Sequence, residues 1–155
     1  MSSKIEDLDP SVQGTFRLFL HNLAAQGIKG FIPQNGISTL RTPLEQLALW
    51  AQGRTSYVVL SVVRQHAGLP PIDQHEASDI VTKADGINSL SNHQDGRAID
   101  WVPFHPDGTP IWYPNTPEEI ATYRKAGAIA KACGIQCGMD WTGGFVDWDH
   151  FEIPK

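Results

Sequence analysis

Val12, Phe16, Phe19, Leu20 and Leu23 repeat at the 3.6-residue period of a helix and predict one between Asp9 and Gly27. Asp9 supplies an N-cap, Pro10 suits the first turn and Gly27 ends the run. Residues 28–37 then read as a strand with a turn, held to an edge or a bend by Pro33. Thr42, Pro43 and Glu45 open a second helix with a capping box. Its buried stripe is Leu44, Leu47, Ala48 and Ala51, and Gly53 stops it. The apolar, β-branched run YVVLSVVR at 57–64 fits a short helix or a strand, because the turn-rich HAGLPPIDQHEASD follows it. Short strands are expected at 80–82 and 99–104. A turn at 105–109 lets 111–113 pair back. Thr116 and Glu119 form another capping box, opening a helix through Ile120, Tyr123, Ala126, Ile129 and Ala130 to Gly134. A last strand lies within 145–153. Helices separated by short strands predict an α+β fold, a small antiparallel sheet flanked by helices.

Composition narrows this picture. The 155 residues, with no repeat or linker, predict one domain spanning 1–155. The formal net charge of −5 and the lack of any Lys/Arg cluster argue against nucleic acid as a partner. No window is apolar enough for membrane insertion. The polar start MSSKIEDLDPSVQGTF lacks the basic and apolar regions of a signal peptide, so synthesis in a cytoplasm is expected, with any release by another route. Cys133 and Cys137 have no further Cys or His at zinc spacing nearby, and read as small, partly buried thiols.

The chemistry concentrates in two stretches. In SNHQDGRAID, residues 91–100, His93 and Asp100 are seven apart. A straight strand would hold them roughly 23 Å apart on opposite faces, and a helix roughly 10 Å apart. A reversal at Asp95-Gly96 makes Asp100 the diagonal neighbour of His93, at roughly 7–8 Å between backbones. Taken alone, this stretch reads first as a solvated hairpin. The second stretch is DWDHFE, residues 147–152. Strand alternation puts Trp148, His150 and Glu152 on one face and Asp147 and Asp149 on the other. A bend before His150, made plausible by Gly143-Gly144, brings Asp147 to the His150 side. The acid beside a metal is then Asp147 or Glu152, and Asp149 is disfavoured. Together His93, Asp100 and His150 supply two imidazoles and a carboxylate. That is the ligand set of a catalytic zinc with one position open to water.

These residues carry a resemblance. Ser91, His93, Gly96, Ala98 and Asp100, with Asp147, His150, Phe151 and Glu152 downstream, resemble the S-x-H-x-x-G-x-A-x-D and D-x-x-H-F-E motifs of the LAS-type zinc peptidases, family M15. That group includes VanY/VanX-like enzymes and L-alanyl-D-glutamate peptidases. LRTPLEQLALWAQGR is similar to the same family's central stretch, with Arg41, Glu45, Gln46 and Gly53 in register. DLDPSVQ resembles its usual start and MDWTGGF its Asp-Trp segment, so the likeness runs from about residue 6 to 153.

The resemblance implies a Hedgehog/DD-peptidase-like fold and one catalytic Zn2+ held by His93, Asp100 and His150. It makes Asp147 the general base, where many members carry Glu and the L-alanyl-D-glutamate endopeptidase branch carries Asp. Arg41 would hold the scissile carbonyl or its oxyanion, and Ser91 would hydrogen-bond the substrate. The plainer alternatives are a surface salt bridge for Arg41 and a turn residue for Ser91. The implied activity is peptidoglycan stem-peptide hydrolysis by a monomer. A phage or prophage endolysin released by a holin fits this, without a separate wall-binding domain. The rivals are a D-alanyl-D-alanine carboxypeptidase or dipeptidase, and a non-catalytic zinc-containing binding module. His21, His66, His75 and His105 are expected not to be ligands. Residues 66–78 look longer than the family's usual connection there. Trp101, Trp141 and Trp148 are expected in the core or the cleft wall.

Overall fold

The computed structural model describes residues 2–142 and 144–155. Helix α1, Pro10–Ala25, starts where Asp9 accepts the Ser11 N–H at 2.8 Å. Helices α2, Pro43–Ala51, and α4, Pro117–Ala132, both begin with complete capping boxes. Each box satisfies backbone N–H groups that a helix start leaves unpaired. The run at 57–64 resolves as helix α3, Tyr57–His66, capped by Ser56. Its β-branched residues prefer strands locally, so tertiary packing decides: Leu60 and Arg64 turn inward while Val58, Val59 and Val62 stay exposed.

The strands are shorter than expected. Of residues 28–37 only β1, Gly30–Phe31, pairs, with β3, Val102–Pro103. The strand expected at 99–104 is split. Ala98–Asp100 forms β2, and Trp101 leaves the ladder with its N–H on the Asp149 carbonyl at 2.8 Å. β2 pairs antiparallel with β5, His150–Glu152, and β5 pairs with β4, Gln136–Cys137. The turn at 105–109 forms, but the chain returns through a Phe104–Pro110 bridge rather than a strand at 111–113. Residues 80–82 make no strand among the described residues. Among those residues, no helix is long and apolar enough to cross a membrane.

The three-stranded sheet divides core from site. Ile99 and Phe151, paired in the ladder, face the core with Phe16, Phe19 and Leu23 of α1 and Ala126, Ile129 and Ala130 of α4. Alternation sends the flanking pairs, Asp100 with His150 and Ala98 with Glu152, to the opposite face. Trp101 belongs to the core and packs edge-on against Phe19 and Phe151. Cys137 is buried and its thiol is pushed up to about 11 by burial, as suits a structural residue; Cys133 is partly buried.

Two expectations about the other half of the chain change. In α2, Leu44 is 43% exposed, while Glu45, Gln46 and Leu49 are buried. The helix is rotated because Glu45 closes the capping box and Gln46 donates to Thr82 Oγ1 and the Ala84 carbonyl. Residues 66–78 are an ordered extension with small apolar clusters around Leu69 and Ala77. Buried Arg64 ties it down, donating to the Pro70 carbonyl from Nε at 3.1 Å and Nη2 at 2.9 Å, and to Gln52 from Nη1. Arg64→Met leaves that carbonyl without its donors. We expect a loss of about 2–3 kcal/mol in denaturant unfolding, faster proteolysis within 66–78 and unchanged metal affinity.

Candidate metal centre

The loop 91–97 is not the expected hairpin. It winds through consecutive turns, with Gln94 N–H on the Ser91 carbonyl, Gly96 N–H on His93 and Arg97 N–H on Asn92. Gly96 adopts φ +63°, and a Cβ there would meet the Asp9 nitrogen at 2.9 Å. The loop carries His93 over the sheet face that bears Asp100 and His150. Those two are directly opposite on β2 and β5.

Three atoms converge. His93 Nε2 lies 3.1 Å from Asp100 Oδ1 and 3.1 Å from His150 Nδ1, and Asp100 Oδ1 lies 3.6 Å from His150 Nδ1. Four donors around a tetrahedral zinc at 2.0–2.1 Å are separated by about 3.3 Å. The outer partners fix the ring states. His93 Nδ1 is 2.8 Å from the Thr39 carbonyl, which only accepts, so Nδ1 carries the proton and Nε2 offers a lone pair. His150 Nε2 is 2.8 Å from Glu152 Oε2, so Nδ1 offers its lone pair inward. Two lone pairs and a carboxylate oxygen aimed at one point call for a cation, and the residues fit zinc. Among the described residues these three are the group of His, Cys, Asp or Glu so placed. His21, His66, His75 and His105 are not part of it.

The electrostatics agree. Burial, then Arg41, pushes the His93 pKa down and keeps that ring neutral. Burial alone would raise Asp100, but His93 and Arg41 hold it well below the usual carboxylate range. Burial also opposes charge on His150, yet hydrogen bonds with Asp100 and Glu152 carry it up to about 9. Positive charge is therefore stabilised at this point, as a proton or as a metal.

Arg41 sits in the centre's outer wall. Its Nη2 donates to Asp100 Oδ2 at 2.6 Å, its Nε to the Ile37 carbonyl at 2.6 Å, and Nη1 reaches Gln46 Oε1 at 3.4 Å. This is not a surface salt bridge: the largely buried guanidinium fixes a metal-facing carboxylate. Ser91 braces the same loop, its Oγ accepting the His93 N–H at 3.4 Å and its N–H donating to Gln94.

Asp147 and His150 both lie against Gly138, with their Cβ atoms 3.0 and 3.1 Å from where a Cβ on that glycine would stand. Gly143, half of the Gly143-Gly144 pair invoked for the bend, lies outside the described residues. Asp149 is nearer the site than strict alternation allows. Burial, then Asp100 and Asp147, pushes its carboxyl well up, and it hydrogen-bonds Asp147. Trp141 packs on the His150 ring at 4.9 Å and stacks with Phe145, forming a wall, while Trp148 packs on Tyr123.

Gly138 is a site residue that no local motif announced. The Asp147 N–H donates to its carbonyl at 3.2 Å. A Cβ at Gly138 would lie 2.5 Å from the Asp147 carbonyl oxygen, 3.0 Å from Asp147 Cβ and 3.1 Å from His150 Cβ. Gly138→Ala must therefore push this segment away. Displacement by an ångström can cost about 100-fold. We expect a folded protein with turnover reduced by about tenfold or more, and weakened zinc binding by chelator competition.

Comparison with known proteins completes the description. Residues 85–153 match a family model described as D-alanyl-D-alanine carboxypeptidase, of the M15 peptidases. The fold is similar to that of the L-Ala D-Glu endopeptidase ChiX of Serratia marcescens. That match has 19% identity, 97% of this chain and 83% of the other covered, and a TM-score of 0.50. It is also similar to the vancomycin resistance D,D-pentapeptidase VanY from a VanB-type cassette, solved with Zn(II). There the identity is 14%, the coverage 94% and 72%, and the TM-score 0.58. At such identities the likeness is one of fold. No curated protein matches the sequence significantly.

Proposed function

We propose that the chain is a zinc metallopeptidase of the M15 family and that it cleaves the L-alanyl-D-glutamate bond in peptidoglycan stem peptides. The observation that carries the metal chemistry is the triangle of His93 Nε2, Asp100 Oδ1 and His150 Nδ1 at 3.1–3.6 Å. His93, Asp100 and His150 would hold a zinc ion, which would lower the pKa of a bound water and polarise the scissile carbonyl. Asp147 accepts the proton of the attacking water and returns it to the leaving amine as the C–N bond breaks. Asp149, hydrogen-bonded to it, keeps that carboxylate oriented. Arg41 fixes Asp100, and Ser91 presents the loop edge to the substrate backbone. The whole chain acts as one catalytic domain and as a monomer, in the manner of a phage or prophage endolysin.

Two features support an internal bond. An aspartate stands where the base belongs, as in the endopeptidase branch that the sequence resembles. Arg41, the cation packed into the centre, is engaged with Asp100, Ile37 and Gln46 rather than offered to a terminal carboxylate. The rival reading, a D-alanyl-D-alanine carboxypeptidase, is favoured by the description of the matched family model. Synthetic L-alanyl-γ-D-glutamyl and acyl-D-alanyl-D-alanine peptides, each with zinc, separate them. Cleavage of the first and not the second is the expected result. The reverse assigns the carboxypeptidase.

A further inference from the structure

We propose that Glu152 is the positioning residue of the metal centre and that Asn92 acts through it, so that one carboxylate oxygen sets how both imidazoles meet the metal. The inference rests on the zinc reading above. Glu152 Oε2 takes two hydrogen bonds, from His150 Nε2 at 2.8 Å and from Asn92 Nδ2 at 2.8 Å. The first donor is the outward nitrogen of a ring whose Nδ1 faces the triangle. The second belongs to the residue immediately before His93. The two histidines come from segments 57 residues apart, and Oε2 ties the His150 ring to the residue that precedes His93.

The surroundings favour this role over that of a proton acceptor. Glu152 lies behind the His150 ring as seen from the three converging atoms, so it cannot reach water placed among them. Its ladder partner on β2 is the fully buried Ala98, whose small side chain leaves the carboxylate room to reach Asn92. Other bonds close the same end: the Ile153 backbone N–H donates to the Arg97 carbonyl at 2.9 Å, and the Arg97 side chain donates from Nε to the Ile153 carbonyl at 2.8 Å. These hold the strands in register with or without the side chains of Asn92 and Glu152. The Asn92–Glu152–His150 link therefore adjusts ring orientation, not the fold. A carboxylate on the far nitrogen also makes a histidine a better donor to metal, and losing such a partner costs about 10- to 100-fold in affinity.

The test is zinc affinity by chelator competition, with a Co2+-substituted visible spectrum and thermal unfolding of the metal-free proteins. Glu152→Ala should bind zinc about 10- to 100-fold more weakly, with an altered Co2+ spectrum. Glu152→Gln keeps an acceptor but not the charge, and should bind about 3- to 10-fold more weakly. This variant decides the matter should the alanine variant fail to fold. Asn92→Ala should lose about threefold or more, and the Asn92→Ala/Glu152→Ala double variant should match Glu152→Ala alone. Glu152→Gln or Glu152→Ala within about twofold of wild type overturns the proposal, as does a double variant that multiplies the two single losses. Failure of the wild-type protein to bind zinc instead overturns the metal reading on which this one stands.

Discussion

Asp147→Asn is expected to leave zinc bound and to lower hydrolysis by about 100- to 10,000-fold, the contribution of a positioned general base. Asparagine keeps the size and the N–H bond to the Gly138 carbonyl, so the segment that carries His150 stays in place. What it loses is the capacity to take a proton from water. The amide can still hydrogen-bond Asp149, and the local packing survives. Zinc affinity by chelator competition should be within a few-fold of wild type while turnover falls. Normal turnover with zinc bound would remove Asp147 from the mechanism. Because Glu152 lies behind the His150 ring, Asp149 would then be the acid to examine.

Asp100→Ala has the second large effect, and it acts twice. One carboxylate oxygen faces the two imidazoles and the other holds Arg41 at 2.6 Å. Losing the first takes one of three metal ligands, so zinc affinity should fall by more than the roughly 10- to 100-fold that an outer-shell partner is worth. Losing the second leaves the Arg41 guanidinium without its counter-charge, in a place where its side chain is 11% exposed. Breaking a buried pair from one side costs about 3–5 kcal/mol. Reduced stability of the metal-free protein in denaturant, together with lost zinc binding, is the expected pair of results. A variant that binds zinc as wild type does would show that the ligand set is wrong.

The residues of the centre were more legible than its geometry. His93, Asp100 and His150 could be picked out because their types suit zinc and the two motifs together resemble those of a zinc peptidase family, and the structure brings them together. The way they meet was hidden. A tight turn at Asp95-Gly96 was the local solution for His93 and Asp100, but Asp100 instead pairs with His150 across β2 and β5. Strand pairing at that separation leaves no trace in either short stretch. The same holds for Arg41, whose partner is 59 residues away, and for Gly138, which matters because Asp147 and His150 lie against it. The helix faces were read well where caps and apolar spacing agree, as in α1 and α4. They were misread in α2, where buried Glu45 and Gln46 are satisfied by polar partners that a hydrophobic pattern cannot show. Strand alternation points Asp149 away from the centre, but regular pairing begins only at His150.

The most direct test of the account is mass spectrometry of purified peptidoglycan digested with the zinc-loaded protein, beside a sample treated with chelator. Stem peptides with new amino-terminal D-glutamate or D-isoglutamine, absent from the chelator sample, are the predicted result. Release of D-alanine would contradict the endopeptidase reading. An undigested wall in the presence of bound zinc would contradict the hydrolase itself on this substrate.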